Sequence, residues 1–134
     1  MSIEDYFVID GTYELVDGVY NIKGNVLLKS NKKVEKLPVK FGKVTGYFYC
    51  SYNKLRSLEG SPKWVGDYFS CDNNNLTSFK GAPKFVGGDF FCQNSKLTSL
   101  KGSPNYIGGY FYCDENLYNT KEYKQYLIMK ELRS

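Results

Sequence analysis

The sequence predicts an α/β-poor repeat solenoid: stacked coils with short parallel strands on one face, closed by a β-strand cap at the N-terminal end and a helical cap at the C-terminal end. Three observations predict it. Cys50, Cys71, Cys92 and Cys113 follow one another at a constant interval of 21 residues. Other columns stay in register with them: Phe48, Phe69, Phe90 and Phe111 two positions earlier, then Leu55, Leu76 and Leu97, and Val44, Val65, Val86 and Ile107. Outside the repeat the pattern changes, to alternating strand-like residues on one side and a helix-start signal on the other.

The elements follow in order. Residues 1–25 read as the β cap: Phe7–Asp10, Thr12–Leu15 and Val19–Ile22 alternate as strands, with turns expected at Asp10-Gly11 and Asp17-Gly18. Residues 26–42 read as a degenerate first coil built on Val26, Leu28, Val34 and Leu37. Counting back one repeat from Cys50 reaches Lys29, a poor core residue, so a one-residue bulge near Ser30 is expected to turn Leu28 inward. Residues 43–117 hold the 21-residue repeats. In each, F-x-C alternates as a short strand with Phe and Cys on the inner side. Asn53, Asn74 and Asn116, with Ser95 in the same column, then turn the chain and are expected to offer a side chain to backbone groups in the bend and in the next coil. Gly60-x-Pro62, Gly81-x-Pro83 and Gly102-x-Pro104 deny the return path a regular helix. Residues 118–134 read as the helical cap: Asn119-Thr120-Lys121-Glu122 has the form of a capping box. Tyr123, Tyr126 and Leu127, with Met129 or the Lys130 stem, are expected to cover the last coil.

The unit F-x-C-x-x-N-x-L-x-x-L-x-G-x-P-x-x-V-G resembles the leucine-rich repeat at the short end of its length range, with Phe and Cys in two of the leucine columns. The resemblance implies a right-handed coil whose strand residues alternate between the core and one open face.

At 134 residues the chain makes one domain with enough length to bury a core. No apolar run approaches a membrane span, and the start MSIEDYFVID is acidic, unlike a signal peptide; an intracellular, reducing setting is expected. Four cysteines raise disulfides or zinc. In one inward column, about 5 Å apart at parallel-strand spacing, the thiols point the same way and lack converging geometry. They read as core packing, with no metal and no cofactor expected.

The outward residues are then Tyr47, Tyr49 and Ser51; Tyr68, Ser70 and Asp72; Asp89, Phe91 and Gln93; Tyr110, Tyr112 and Asp114. Six of these twelve are aromatic, three are Asp and none is Lys or Arg. Tyr52, Asn73, Asn94 and Glu115 continue the row. Lys54, Arg56, Lys63, Lys80, Lys84, Lys96 and Lys101 fall in the return stretches, so the net charge of +4 conceals a basic back behind an aromatic, mildly acidic face. Rigid exposed aromatics dominate protein-binding hot spots. The expected partner-binding residues are Tyr47, Tyr49, Tyr52, Tyr68, Asp72, Asp89, Phe91, Gln93, Tyr110, Tyr112 and Asp114. Aromatic ladders that only stabilise the sheet are the competing reading.

Catalytic chemistry finds no foothold. The chain has no histidine, and no nucleophile elbow, phosphate loop or zinc-protease motif. Gly87-Gly88 and Gly108-Gly109 recur at the repeat interval and read as turn glycines. Nucleic acid would need aromatics and cations on one face, and the expectation places them on opposite sides. The same aromatics would also suit a glycan platform or a self-associating, homo-oligomeric face.

From Leu37 to Cys113, the runs LPVKFGKVTGYFYC, LRSLEGSPKWVGDYFSC, LTSFKGAPKFVGGDFFC and LTSLKGSPNYIGGYFYC resemble leucine-rich-repeat proteins of large tailed bacteriophages and their bacterial hosts. That resemblance implies a non-enzymatic phage accessory protein in the host cytoplasm. It would bind and inhibit or modulate a host protein, a defence factor among the candidates. The tyrosines at strand positions depart from that group, where charged residues and Asn are common.

Overall fold

The computed structural model describes residues 2–133; Ser134, the last residue of the expected helical cap, lies outside them. The molecule is a parallel solenoid with about 21 residues per turn, a strand hairpin at one end and a helix at the other, consistent with a leucine-rich-repeat-like coil.

Strands β1 (Phe7–Val16) and β2 (Val19–Leu28) form the hairpin. Asp17 and Gly18 close it with φ of 52° and 78°, the double positive φ of a type I′ turn. The turn expected at Asp10-Gly11 is absent: β1 runs through it, and Gly11 faces Gly24 in the ladder. Both glycines have φ of 140°, and a Cβ on either would sit 2.0 Å from a carbonyl oxygen of the opposite strand. The Asp-Gly pair therefore serves a close approach of two strand backbones, a use that its turn chemistry does not announce.

β2 starts both halves of the sheet. Its first half pairs with β3 (Lys40–Val44) and its second with β4 (Phe48–Tyr49). From β3 the ladder continues through β5 (Trp64–Val65), β7 (Phe85–Val86) and β9 (Tyr106–Ile107); from β4 it continues through β6 (Phe69–Ser70), β8 (Phe90–Phe91) and β10 (Phe111–Tyr112). Each coil thus contributes two short strands, where the repeat pattern marked only the F-x-C one. Between them lies a corner at Gly66, Gly87 and Gly108. A Cβ there would stand 2.1–2.2 Å from the carbonyl oxygen of the coil before, so only glycine permits this stacking distance.

The core is the set of inward columns. Val44, Val65 and Val86, Phe48, Phe69 and Phe90, and Cys50, Cys71 and Cys92 are completely buried, and the rings of Phe48, Phe69 and Phe90 stack at 5.4 and 5.6 Å. Burying each such ring contributes about 1.5–3 kcal/mol. The four thiols are free and buried; Cys71 and Cys92 donate to the carbonyls of Phe91 and Tyr112 at 3.2 and 3.3 Å.

The turn after each F-x-C strand is held from inside. Asn74 Nδ2 donates to the carbonyls of Cys50, Cys71 and Asp72, and its Oδ1 accepts from the Leu55 amide at 2.9 Å. The side chain reaches back to the preceding coil, not forward. Asn53 Oδ1 does the same for Val34, and Ser95 Oγ for Leu76. In the first coil Leu28 is buried, and the extra residue enters a 3-10 turn at Ser30–Lys32 in place of a strand bulge.

The C-terminal end carries a 3-10 turn, Glu115–Leu117, and α1 (Lys121–Arg133). The expected cap is shifted by one: Thr120, not Asn119, accepts from the Tyr123 amide through Oγ1 at 3.3 Å. The 3-10 turn bonds the Thr120 amide to Leu117, which sets the helix start one residue later. Tyr123 and Tyr126 pack on Phe111, as the sequence suggested. Met129 borders a groove between α1 and the last coil, beside Pro104, Ile107 and Phe111, though it stays 44% exposed; Leu127 is 47% exposed. Among the described residues no helix is long and apolar enough to cross a membrane.

Candidate binding face

Because Phe and Cys point inward, their neighbours turn to the other side of the sheet, where the rings stay partly exposed while Ser51 and Ser70, expected on the open face, are buried at 0% and 5% exposure. Stacking the coils then aligns them into rows. Tyr47 and Tyr68 stack at 4.7 Å and 8°, Phe91 and Tyr112 at 4.8 Å and 6°. Tyr68 meets Phe91 edge to face at 6.2 Å, and Tyr110 leans on Tyr112 at 6.1 Å, so these five rings form one connected row. Tyr49 stands outside it, because the next coil places Ser70 where a ring would continue the stack. Partial burial, then the charge of Asp72, pushes the Tyr49 hydroxyl pKa up.

The acidic members have structural duties. Asp72 Oδ1 accepts from the buried hydroxyls of Ser51 and Ser70 at 2.5 and 2.6 Å, and its Oδ2 accepts from Asn73 Nδ2 at 2.7 Å. Asp89 Oδ1 accepts from the Tyr110 amide at 2.8 Å, and Asp114 Oδ1 from the Asn94 amide at 2.7 Å. Gln93 Oε1 is buried without a donor among the described residues.

Tyr52 is conformationally the odd member. Its φ is 59°, matching 57° and 55° at Asn73 and Asn94 one and two coils on. Asn tolerates this left-handed conformation; a bulky residue there is strained by about 1–2 kcal/mol. The ring is 54% exposed and its carbonyl accepts from Lys33 Nζ at 3.2 Å.

A second row escaped the sequence reading. Trp64, Phe85 and Tyr106 stack at 5.0 and 4.8 Å, within 7° of parallel, on the outer side of β5, β7 and β9. The signal was present: these residues immediately precede Val65, Val86 and Ile107, and alternation from that column would have turned them outward. Cations close the rows. Lys43 lies 4.3 Å over Trp64, Arg133 4.2 Å over Tyr106, and Lys130 3.9 Å over Tyr110. The separation of cations from the aromatic face, expected from the repeat alone, therefore fails at the row ends, where β3 and α1 bring basic side chains in. Along the return stretches it holds: the seven predicted Lys and Arg are exposed, and the Arg56–Glu35 and Lys80–Glu59 pairs at 3.0 and 2.7 Å contribute little to stability at such exposure.

The thiols are poor nucleophiles. Burial pushes the pKa of Cys50, Cys71 and Cys92 well up and that of Cys113 to about 11.

Fold and face together define a parallel solenoid of leucine-rich-repeat-like coils with two aromatic rows on its outer sheet surface. Compared with family models, with curated proteins and with solved structures, the chain matches none.

Proposed function

We propose that the protein is a non-enzymatic module that captures another protein on the aromatic surface of its sheet. The observation that carries this reading is the orientation of the rings. In the Trp64–Phe85–Tyr106 row and in the Tyr47–Tyr68 and Phe91–Tyr112 pairs the rings lie nearly parallel on one another, and cations cover Trp64, Tyr106 and Tyr110, so many π faces are occupied and ring edges are left for contact. Nucleobases bind such surfaces by lying flat on an open face. Protein side chains pack against edges and bond to hydroxyls, and large preordered aromatics lose little entropy on binding. The strained Tyr52 supports the same reading, since a bulky side chain held where its sibling coils use Asn points to a demand outside the fold. The resemblance of the repeat runs to phage leucine-rich-repeat proteins supports a bacterial host protein as the partner, inhibited or modulated in the cytoplasm of an infected cell.

The cleanest test changes the most exposed rings, Tyr52, Tyr110 and Tyr112, to Ser together. Tyr68 and Phe91 are left in place because both are half-buried within the row, whereas Tyr110 and Tyr112 are exposed at its end. Circular dichroism should be unchanged, and capture of the host protein from bacterial lysate should fall by about tenfold or more, the loss of one hot-spot contact. Undiminished capture sinks the proposal. Binding that collapses steeply with salt would assign the surface to nucleic acid instead.

A further inference from the structure

The two ends of the sheet are treated differently. At the C-terminal end, Tyr126 Oη and Lys130 Nζ donate to the Gly109 carbonyl at 2.7 and 2.9 Å, and Arg133 donates to the Ile107 carbonyl at 2.8 Å. Side chains from α1 thus occupy the last backbone acceptors. At the N-terminal end β1 pairs only with β2. The two-residue turn makes Val16 and Val19 the closing hydrogen-bonded pair, so even-numbered residues of β1 bond to β2. The amides and carbonyls of Ile9, Gly11, Tyr13 and Leu15 therefore face away from the sheet, with no backbone partner among the described residues.

Natural edge strands are protected by lysine, proline, a bulge or a covering element. β1 has no lysine and no proline, and every residue from Asp10 to Val16 is exposed. Its even-numbered side chains read Val8, Asp10, Thr12, Glu14, Val16, a pattern symmetric about Thr12. The acids belong to a wider asymmetry: before Lys23 the chain carries five acidic residues and no Lys or Arg, while the remainder holds all 18 Lys and Arg against nine acids.

We propose that the free edge of β1 is a second docking site, which takes an extended, Lys- or Arg-bearing segment of a partner protein as an added strand. The backbone of the incoming segment would bond to Ile9, Gly11, Tyr13 and Leu15. Its cations would lie across from Asp10 and Glu14, and its apolar residues across from Val8 and Val16. A second copy of this chain is the wrong occupant. The antiparallel register that matches Val8 with Val16 of the other copy also sets Asp10 against Glu14 twice over, and like charges directly opposite repel.

The proposal stands apart from the aromatic surface, and so does its test. The probe is a capped nonapeptide reading Val, Lys, Thr, Lys, Val at alternate positions with Gly or Thr between, titrated into the full chain and followed by amide hydrogen exchange. In the free protein the amides of Ile9, Gly11, Tyr13 and Leu15 should exchange fast, and saturation with the peptide should slow those four by about tenfold or more. Replacing the lysines of the peptide by Glu, or changing Asp10→Lys with Glu14→Lys in the protein, should weaken binding by at least about tenfold. The variant lacking Tyr52, Tyr110 and Tyr112 should bind the peptide normally, so failure of either docking surface is seen separately. Protection confined to other amides, equal binding of the Glu peptide, or concentration-dependent protection of the four amides without peptide would each overturn the proposal.

Discussion

The Asn74 amide holds three carbonyls and one backbone amide belonging to two successive coils, inside a site that is 5% exposed. Asn74→Ala should therefore lower stability by about 2–4 kcal/mol, since each orphaned buried group costs about 1–3 kcal/mol and some relaxation is available. Asn116 occupies the same column but is exposed in the 3-10 turn, and Asn116→Ala should stay within about 0.5 kcal/mol. Urea denaturation of the two variants checks the contrast; equal effects would mean that the column is not what joins the coils. The same residues show what one chain can reveal. The column of Asn was visible because it repeats, whereas burial at Asn53 and Asn74 but not at Asn116 depends on whether another coil follows.

At the scale of elements, α1 is a lid over open backbone acceptors. The Gly109 carbonyl has two donors, Tyr126 and Lys130, so either can be lost alone. Tyr126→Phe and Lys130→Met should each cost under about 1 kcal/mol, and the double variant should exceed their sum by about 0.5 kcal/mol or more. A thermal-denaturation double-mutant cycle reads this coupling; strict additivity would show that the carbonyl does not need covering. The helix itself was legible in the sequence, through Tyr123, Tyr126 and the polar residues before them. The roles of Lys130 and Arg133 were not, because a basic residue near a helix end reads as a match to the helix dipole, and only the packed coil shows the carbonyls they reach. Likewise the Phe and Cys columns placed the F-x-C strands and so the first aromatic row. The strands β5, β7 and β9 were hidden because each carries a single inward apolar residue, Val65, Val86 or Ile107, with Lys, Asn, Asp or Gly two positions away on either side, so no F-x-C-like alternation marks them, and the row they carry was hidden with them.

At the scale of the whole molecule, four thiols in one core column make pH a global variable. Burial is the main cause that raises them, with Asp72 adding to Cys50 and neighbouring thiols to Cys71. A raised folded pKa means full stability below the unfolded value, about 8.5, and loss above it, because the unfolded thiols ionise while the folded ones keep their protons. Each deeply buried thiol then removes about 1.4 kcal/mol per pH unit until its folded pKa is passed. Stability should thus decline from about pH 8.5 upward, and Cys92→Ala should flatten the decline. Denaturation midpoints at a series of alkaline pH values test this; a slope unaltered by the substitution would exclude the thiols as its source. Partial burial raises the hydroxyl pKa of Tyr68 and Tyr123 as well, which acts in the same direction.

The single tryptophan of the chain lies in the second row, with Lys43 of one coil 4.3 Å over its ring and Phe85 of another stacked at 5.0 Å. Its indole is sandwiched between side chains of the turns before and after its own, so three consecutive turns of the solenoid meet at the ring. The molecule therefore carries its own optical gauge: Trp64 emission senses, without any label, whether those turns remain seated on one another.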